Sequence, residues 1–596
     1  MDTRRVMRPL QRHGVMTVGV LVASIVAMIV YNRTHVGKPP KQFYENEHLD
    51  TLSLLGDQRQ IRSVWRDDDF ECLGWRATYG CDPNGLQDPS RDRSCTEPLP
   101  KVSGYCEVRN RSSGQVHRVM LSTCKSWRWR SVRDILTCND ARAFTDFSVV
   151  AAQYEHPEPL VLPTDPSASR GIVLIAYPKV IAGVFAIVRL LRHVGCMLPV
   201  EIWIDPNEMH ARHSVLRELT GAFNCTVRII HDPSATKFYA KPHALYHSRF
   251  ESVLFLDSDN IPARDPTYLF ELPEFEQHAA IFWPDFWRPT TDTPFNVHEQ
   301  SALWSLLDMP FIDMFEQESG QLLVNRRKSA RALNKLMFYA MHQPRLLTHW
   351  SLIYGDKDMF RLAWLNASTP FYYTPHLPAL GGRYDEHTRF FCGVSMVQRD
   401  PSGQIAFFHR NQVKLDGRDD QQPLLTHLQM FTGGDAHSPK QVLDRYYVDC
   451  FPRRLGPNSC FGLRSTASFG EAELFQIDDL TTTPYPALEK QAIAFSIEGR
   501  RLMSPAEAAE ISKIEDKERH EYEEEMARKA ASLNQENQTL YLLIGSGLFF
   551  VCGGVLKWYS TRVAKHKIDY DYGEPVVMCP ISFLDPNAPR RKFQKD

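Results

Sequence analysis

The 596-residue sequence predicts an α/β fold with a mostly parallel sheet, a small disulfide-rich N-terminal module and two transmembrane helices. Three observations carry this prediction. Strand-like and helix-like segments alternate from residue 171 onward, six cysteines crowd into residues 72–138, and an uncharged apolar run lies near each end. Lys and Arg number 69 against 71 Asp and Glu, so the chain lacks the basic excess that nucleic-acid binding normally needs.

The first apolar run, residues 14–31, is long enough for one transmembrane helix at about 1.5 Å rise per residue. Four arginines precede it and fewer basic residues follow, so the positive-inside rule places residues 1–13 in the cytoplasm. A cleaved signal peptide is the alternative, although no small-x-small cleavage site follows the run. Residues 32–64 are polar and predict a stem.

The second apolar run predicts a transmembrane helix over residues 540–559, with Trp558 and Tyr559 as interfacial anchors. Basic residues follow it, so the tail at 560–596 is also expected in the cytoplasm. A buried core helix is the alternative, because the uncharged apolar run itself covers only the seventeen residues 540–556, close to the lower limit for spanning. Together the two spans predict a Golgi (or ER) membrane protein whose central portion faces the lumen.

The cysteine-rich module covers residues 65–145, and the absence of a CxxC pair among its six cysteines favours disulfides over a zinc site. The sequence does not choose among the fifteen possible pairings. By spacing, Cys450 and Cys460 are expected to close one more short loop. The cysteines left between the spans are Cys196, Cys225 and Cys392. Because their number is odd, at least one free thiol is expected.

The α/β domain is predicted over residues 165–430. Its opening segments are the strand GIVLIAY, a helix over 180–193, the strand VEIWI, a helix over 211–223, the strand CTVRII and a buried strand over 252–256. Residues 431–503 form a C-terminal extension whose pattern assigns no architecture. Residues 504–538 predict a charged helical stalk, with Ser504 as N-cap and proline at the first helical position.

The strand at 252–256 is followed directly by Asp257, Ser258 and Asp259. Residues i and i+2 of an extended chain point to the same side, so both carboxylates can bind one cation. Mg²⁺ and Mn²⁺ prefer oxygen ligands, and ligands of open α/β sheets bind beyond the carboxyl ends of the strands. Taken alone, such a motif is more often a pair of turn-capping acids. The apolar strand before it and the NIP turn after it make a ligand-binding role as frequent as capping.

Four further motifs follow in the order AAIFWPDFW, ESGQLLVN, HWSLIYGDKDMFRLAW and FFHRNQVKL. With the DSD sequence they resemble the fungal Mnn-type Golgi α-mannosyltransferases, glycosyltransferase family 71, and more distantly the glycogenin-like group. The resemblance covers roughly residues 170–415. It implies a GT-A (Rossmann-like) glycosyltransferase domain, a nucleotide-sugar donor that is GDP-mannose, Mn²⁺ (or Mg²⁺), and a glycan or glycoprotein acceptor joined with retention of the α configuration.

The alternatives are a UDP-sugar-dependent transferase on the same scaffold and a non-enzymatic lumenal glycan-binding protein. The cysteine module and the second span have no counterpart in the family pattern.

The resemblance assigns a role to each candidate residue. The metal ligands would be Asp257, Asp259 and His409. The donor-binding residues would be Lys241, Asp285 and Lys414. The catalytic acids around the transferred sugar would be Glu318, Asp356 and Asp358.

Five of these assignments have open alternatives. His409 is also read as a hydrogen-bonded core histidine, Lys241 as a structural ion-pair partner and Lys414 as a solvated lysine. Asp358 is read either as a site acid or as the residue that orients the acceptor, and Asp356 either as a site acid or as the cap of the following helix.

Overall fold

The computed structural model describes residues 64–127, 136–164, 170–288, 295–451, 460–464, 473–517, 519–521 and 524. These residues form two compact units, the smaller of which comprises 65–126 and 136–142 of the described chain. Within the described chain, no helix is long and apolar enough to cross a membrane. The predicted spans at 14–31 and 540–559, both predicted tails and nearly all of the predicted stem lie outside the described residues.

The smaller unit is a three-stranded antiparallel sheet in the order β1-β2-β3. Its strands are β1 (Phe70–Ala77), β2 (Gly104–Asn110) and β3 (Val116–Ser122). Three disulfides hold it together: Cys72–Cys95, Cys81–Cys124 and Cys106–Cys138. The predicted disulfide module is therefore confirmed, and cross-links supplement the small apolar core that so short a segment can bury.

The remaining strands belong to the larger unit. They are β4 (Arg170–Ala176), β5 (Val200–Ile204), β6 (Cys225–Ile229), β7 (Ser252–Leu256), β8 (Asn260–Pro262), β9 (Ala280–Pro284), β10 (Gln317–Asn325), β11 (Tyr372–Tyr373), β12 (Ala379–Asp385), β13 (Phe390–Arg399), β14 (Ile405–His409), β15 (His427–Phe431), β16 (Val448–Phe451), β17 (Cys460–Leu463) and β18 (Phe475–Asp479).

The α-helices with defined bounds are α1 (Ala141–Gln153), α2 (Ile181–His193), α3 (Ser214–Ala222), α4 (Ala240–His247), α5 (Pro273–His278), α6 (Ala302–Leu307), α7 (Ala330–Met341), α8 (Leu346–His349), α9 (Met359–Asn366), α10 (Lys440–Leu443) and α11 (Leu488–Arg501). The predicted strands and helices from residue 171 to residue 256 are all present, with ends shifted by at most three residues.

The first sheet of the larger unit has seven strands in the order β11-β9-β10-β7-β4-β5-β6. Strands β4, β5, β6 and β7 pair in parallel, whereas β10 is antiparallel to both β7 and β9. The mixed α/β class with a mostly parallel sheet is thus confirmed. Because β10 runs the opposite way, its amino end lies beside the carboxyl ends of β7 and β9, which is the edge where the predicted site residues begin.

The second sheet is antiparallel, in the order β16-β17-β13-β12-β15-β18, and β14 pairs with both β13 and β8. Four of its strands lie in or next to the predicted C-terminal extension, so residues 431–503 complete this sheet rather than form a separate part. The extension also ends in α11, which packs on α2: a Cβ built on Gly499 would lie 2.8 Å from Phe185 Cβ.

Cys460 bonds to Cys392, so the predicted Cys450–Cys460 loop is wrong. The strand register gives the physical reason. Cys392 of β13 and Cys460 of β17 lie on neighbouring strands with their Cα atoms 4.7 Å apart, whereas on β16 the residue opposite Cys460 is Phe451, not Cys450. Cys196 and Cys225 are buried free thiols, as the odd number of cysteines predicted.

The predicted helix after Ser504 is present, and residues 505–517 are helical. Its first turn carries the expected cap, since Glu507 N donates to Ser504 Oγ at 3.4 Å and Ser504 N donates to Glu507 Oε2 at 2.7 Å. The start of this helix packs on the larger unit and does not project from it as a stalk. Ile511 is buried in the core of the larger unit, and Glu507 accepts a hydrogen bond from Ser214 N. Most of the predicted stalk beyond it lies outside the described residues.

Candidate active site

The DSD sequence forms a turn at the carboxyl end of β7, between β7 and β8. Asp257 N donates to Gly320 O at 2.8 Å, and Asn260 N donates to Asp257 O at 3.1 Å, so both sides of the turn are fixed by backbone bonds. The Asp257 side chain is 32% exposed, whereas that of Asp259 is 3% exposed. One carboxylate therefore opens towards solvent while the other forms the floor of the site.

His409 joins the two aspartates, as the predicted ligand set requires. The antiparallel pairing of β14 with β8 places His409 opposite Asn260, one residue after the DSD turn. One ligand atom from each of Asp257, Asp259 and His409 lies within 4.8 Å of the other two. Two carboxylates and one imidazole form a donor set that suits Mn²⁺ or Mg²⁺.

Glu318 lies on the other side of the His409 ring. His409 Nε2 is 3.4 Å from Asp259 Oδ1, and His409 Nδ1 is 3.5 Å from Glu318 Oε1. Burial lowers the pKa of His409, but the two carboxylates outweigh it and raise that pKa to about 10. Burial likewise works against ionised Glu318, yet His409 and the Gly320 backbone N–H hold the pKa of Glu318 at about 2. Glu318 is thus an ionised acid in a buried site.

Two lysines lie against the aspartates, and both were predicted as donor-binding residues. Lys241, at the start of α4, places Nζ 3.1 Å from Asp257 Oδ1 and 3.1 Å from Asp356 Oδ2, and it donates to Ser319 O at 2.8 Å. Burial lowers the pKa of Lys241, but Asp257 and Asp356 raise it above its ordinary value.

Lys414 forms an ion pair with Asp259 from the segment after β14. Although burial opposes it, Lys414 and His409 hold the pKa of Asp259 well below its usual range. Both lysines therefore contact the predicted metal ligands, and Lys414 is not a simply solvated residue.

Asp356 lies at this edge, whereas Asp358 does not. The Asp356 carboxylate contacts Lys241, and burial raises its pKa although Lys241 opposes the shift. Asp358, not Asp356, is the N-cap residue of α9, and it makes no side-chain cap bond, so the capping alternative for Asp356 is wrong. Asp358 instead pairs with fully buried Arg361 and accepts a hydrogen bond from Gln317 N at 3.1 Å. These contacts hold α9 against β10. They give Asp358 no contact with the metal-ligand cluster.

Asp285 lies at the carboxyl end of β9, where its partner is Lys357. Lys357 Nζ also lies 3.1 Å from Glu316 Oε2, so this buried lysine forms ion pairs with two buried acids. Burial raises the pKa of Asp285 to about 6 even though Lys357 opposes the shift. The nearby Glu318 carboxylate raises it further, which links this pair to the Glu318 side of the site.

Sequence reasoning assigned no role to Lys357 or Glu316. The only signal for Lys357 was its place between two acids in the GDKD motif, and Glu316 lies just before the ESGQ motif.

Residues 169–400 match the family model described as "Mannosyltransferase putative". The chain is 28% identical over 289 residues to alpha-1,2-mannosyltransferase MNN2 of Saccharomyces cerevisiae, covering 41% of this chain and 48% of that protein. It is 26% identical over 270 residues to alpha-1,2-mannosyltransferase MNN21 of Candida albicans, covering 37% of this chain and 41% of that protein. The chain thus spans less than half the length of either relative.

Among solved structures, that of the galactosyltransferase LgtC with donor and acceptor sugar analogues is similar over 34% of this chain and 73% of that one, at 14% identity and a TM-score of 0.25. The matched stretch, residues 169–400, contains the DSD, WPD, ESGQ and GDKD motifs, and His409 and Lys414 lie just after it. The matches confirm the predicted resemblance of this chain to the fungal Mnn-type mannosyltransferases.

Proposed function

We propose that this chain is a membrane-anchored lumenal glycosyltransferase of the GT-A type, which moves mannose from GDP-mannose to a glycan acceptor with retention of the α configuration and depends on a divalent metal. One observation carries the proposal. Asp257, Asp259 and His409, with Glu318 beside them, converge at the carboxyl edge of a mostly parallel sheet in a region similar to mannosyltransferases. Ligands of open α/β sheets bind at this edge.

Asp257, Asp259 and His409 would hold the cation. When bound, a divalent cation neutralises the negative charge that develops on a leaving nucleoside diphosphate. Lys241 and Lys414 each contact one of the aspartates and lie where they can also meet the donor's phosphates. The positive charges of the two lysines and of the metal ion suit a donor whose diphosphate carries negative charge into a partly closed site.

Glu318 is the acid best placed to act on the transferred sugar. Its carboxylate accepts a hydrogen bond from Gly320 N and lies 3.5 Å from His409 Nδ1, so it can stabilise positive charge on the sugar during transfer. Asp356, held through Lys241, would position the donor end of the site. With retention, a phosphate oxygen of the leaving group can accept the acceptor's hydroxyl proton on the same face, so the proposal requires no separate base.

The proposed location is a Golgi or ER membrane, with both termini in the cytoplasm and the catalytic domain in the lumen. The two apolar runs and their basic flanks support the membrane anchors. Four disulfides among the described cysteines support an oxidising compartment for the residues between them.

The test is donor-dependent turnover by the purified full chain. GDP-mannose, UDP-glucose and UDP-galactose are supplied separately, each with and without Mn²⁺, and nucleotide release and transfer to a mannose-containing acceptor are measured. We expect turnover with GDP-mannose and Mn²⁺ only. The double variant Asp257→Asn, Asp259→Asn should lose it while keeping the thermal unfolding midpoint of the parent within a few degrees.

The matched control is Asp419→Asn, an exposed aspartate paired with exposed Arg501, which should keep full activity. Turnover with a UDP-sugar and none with GDP-mannose would show that the donor is a UDP-sugar and would overturn the proposed donor. Transfer unchanged in the double variant would overturn the metal assignment, and binding of glycans without turnover of any donor would indicate a glycan-binding protein.

A further inference from the structure

Three histidines and one glutamate converge on helix α4, in a group that the proposed transferase function does not use. His231 follows β6, and His243 and His247 lie at positions i and i+4 of α4, so they share one helix face. One ring nitrogen from each histidine lies within 4.8 Å of those of the other two. Both carboxylate oxygens of Glu158 lie 3.1 Å from His231 Nε2, and Glu158 Oε2 lies 3.7 Å from His247 Nδ1.

His243 gives an independent sign that a ligand belongs here. Its side chain is fully buried, and neither ring nitrogen has a hydrogen-bond partner among the described residues. Folded proteins rarely leave a buried polar side chain without any partner. The ring lies 4.7 Å from that of His231 and 4.4 Å from that of His247, centroid to centroid, so it packs directly against the other two histidines of the group.

The chemistry of the group selects the ligand. Imidazole nitrogens suit zinc and the later first-row metals, whereas Mn²⁺ and Mg²⁺ prefer sites dominated by oxygen. Three imidazoles and one carboxylate supply the four ligands of a closed tetrahedral zinc site, with no position left for substrate. We propose that Glu158, His231, His243 and His247 bind a structural Zn²⁺ ion, distinct from the cation of the proposed transferase site.

A metal ion can reach the site from solvent, and a hydrogen bond holds one of its ligands in place. The side chains of His231 and Glu158 are 47% and 53% exposed, which gives an ion access from solvent, while buried His243 forms the floor. Tyr246 Oη donates to Glu158 O at 3.0 Å and so holds the glutamate against α4. Zinc would fasten the segment before β4 to this helix.

The same helix presents Lys241 to the active site. At about 100° per residue, Lys241 lies about 160° from His243 around the helix axis, on the opposite side. Lys241 contacts Asp257 there, while the histidines face Glu158. Bound zinc would therefore hold the histidine face of α4 in place and so restrict the position of Lys241 on the opposite face.

The experiment measures zinc directly and does not depend on transferase activity. The purified full chain is stripped with a chelator, and Zn²⁺ is then titrated in competition with a chromophoric chelator while thermal unfolding is followed with and without the metal. We expect one tightly bound zinc and a higher unfolding midpoint with zinc. His243→Ala and His231→Ala should each weaken binding by more than the roughly 10–100-fold that the loss of a ligand's supporting partner costs, and zinc should then no longer raise the midpoint.

Two controls separate this site from other sources of zinc binding. His387→Ala removes an exposed histidine outside the group and should leave the binding unchanged. The double variant Asp257→Asn, Asp259→Asn should also retain its zinc. Because His231 is half exposed, its variant is expected to fold even where His243→Ala does not.

Three results would overturn the proposal: no tight zinc in the parent chain, unchanged affinity in folded His231→Ala, or loss of the zinc in the double aspartate variant. The last result would place the ion in the proposed transferase site, and a failure of transferase activity alone would leave the zinc site intact.

Discussion

Gly320 lies between Glu318 and His409, and an alanine in its place has no room. A Cβ atom built there would lie 2.6 Å from His409 Cε1, 2.7 Å from its Nδ1 and 3.0 Å from Glu318 Oε1, whereas ordinary contact begins at 3.4 Å. The His409 ring is buried, so it can relieve the overlap only by moving about 1 Å within the metal-ligand cluster, a misplacement that can cost about 100-fold in rate.

We therefore expect Gly320→Ala to lower Mn²⁺-dependent mannose transfer about 100-fold and to lower the free energy of unfolding by about 1–3 kcal/mol. Initial rates with GDP-mannose and denaturant unfolding measure the two effects. The matched control is Gly221→Ala in α3, where a Cβ atom would meet nothing within 4 Å. It should keep full activity and gain up to about 1 kcal/mol. Parent-like activity in Gly320→Ala would refute the packing argument.

Two further predictions concern stability and thiol reactivity. Arg410→Met removes a fully buried guanidinium whose Nε donates to Glu489 Oε1 at 2.8 Å. The free energy of unfolding, measured by denaturant titration, should therefore fall by about 3–5 kcal/mol. The control Arg501→Met, at an exposed ion pair, should lower it by less than about 0.5 kcal/mol. Equal effects of the two changes would contradict the buried-pair argument. Burial raises the pKa of Cys225 to about 12, so a thiolate-selective reagent at pH 8 should leave its peptide unlabelled until denaturant is added, and rapid labelling of the native chain would show that the thiol is not buried.

Local patterns were enough to predict the aspartate pair, because both residues and the strand that delivers them lie within eight consecutive positions. The alternation of side chains along an extended chain places them together without any long-range information. His409 lies 150 residues beyond Asp259, and only the family resemblance connected it to the aspartates. In the structure, the pairing of β14 with β8 makes that connection.

Apart from the capping role of Asp356, the errors and omissions concern partners that are distant in sequence. Spacing favoured Cys450 for Cys460, but Cys460 bonds to Cys392, which is 68 positions away and comes close only through the pairing of β13 with β17. The role of Lys357 depends on Glu316, which lies 41 residues before it on a different element. His231 was passed over for the same reason, since no local pattern indicates that it lies against α4.

The packing of α2 against α11 sets an order for folding. Arg189 of α2 lies 3.3 Å from Glu498 of α11, across 309 positions of sequence, and the ring of Phe495 lies under the same guanidinium. During synthesis from the N-terminus, α2 and its sheet are made long before the helix that covers them. The face of α2 that packs on α11 must therefore stay exposed until nearly the whole domain has been produced, which favours slow folding and early help from chaperones.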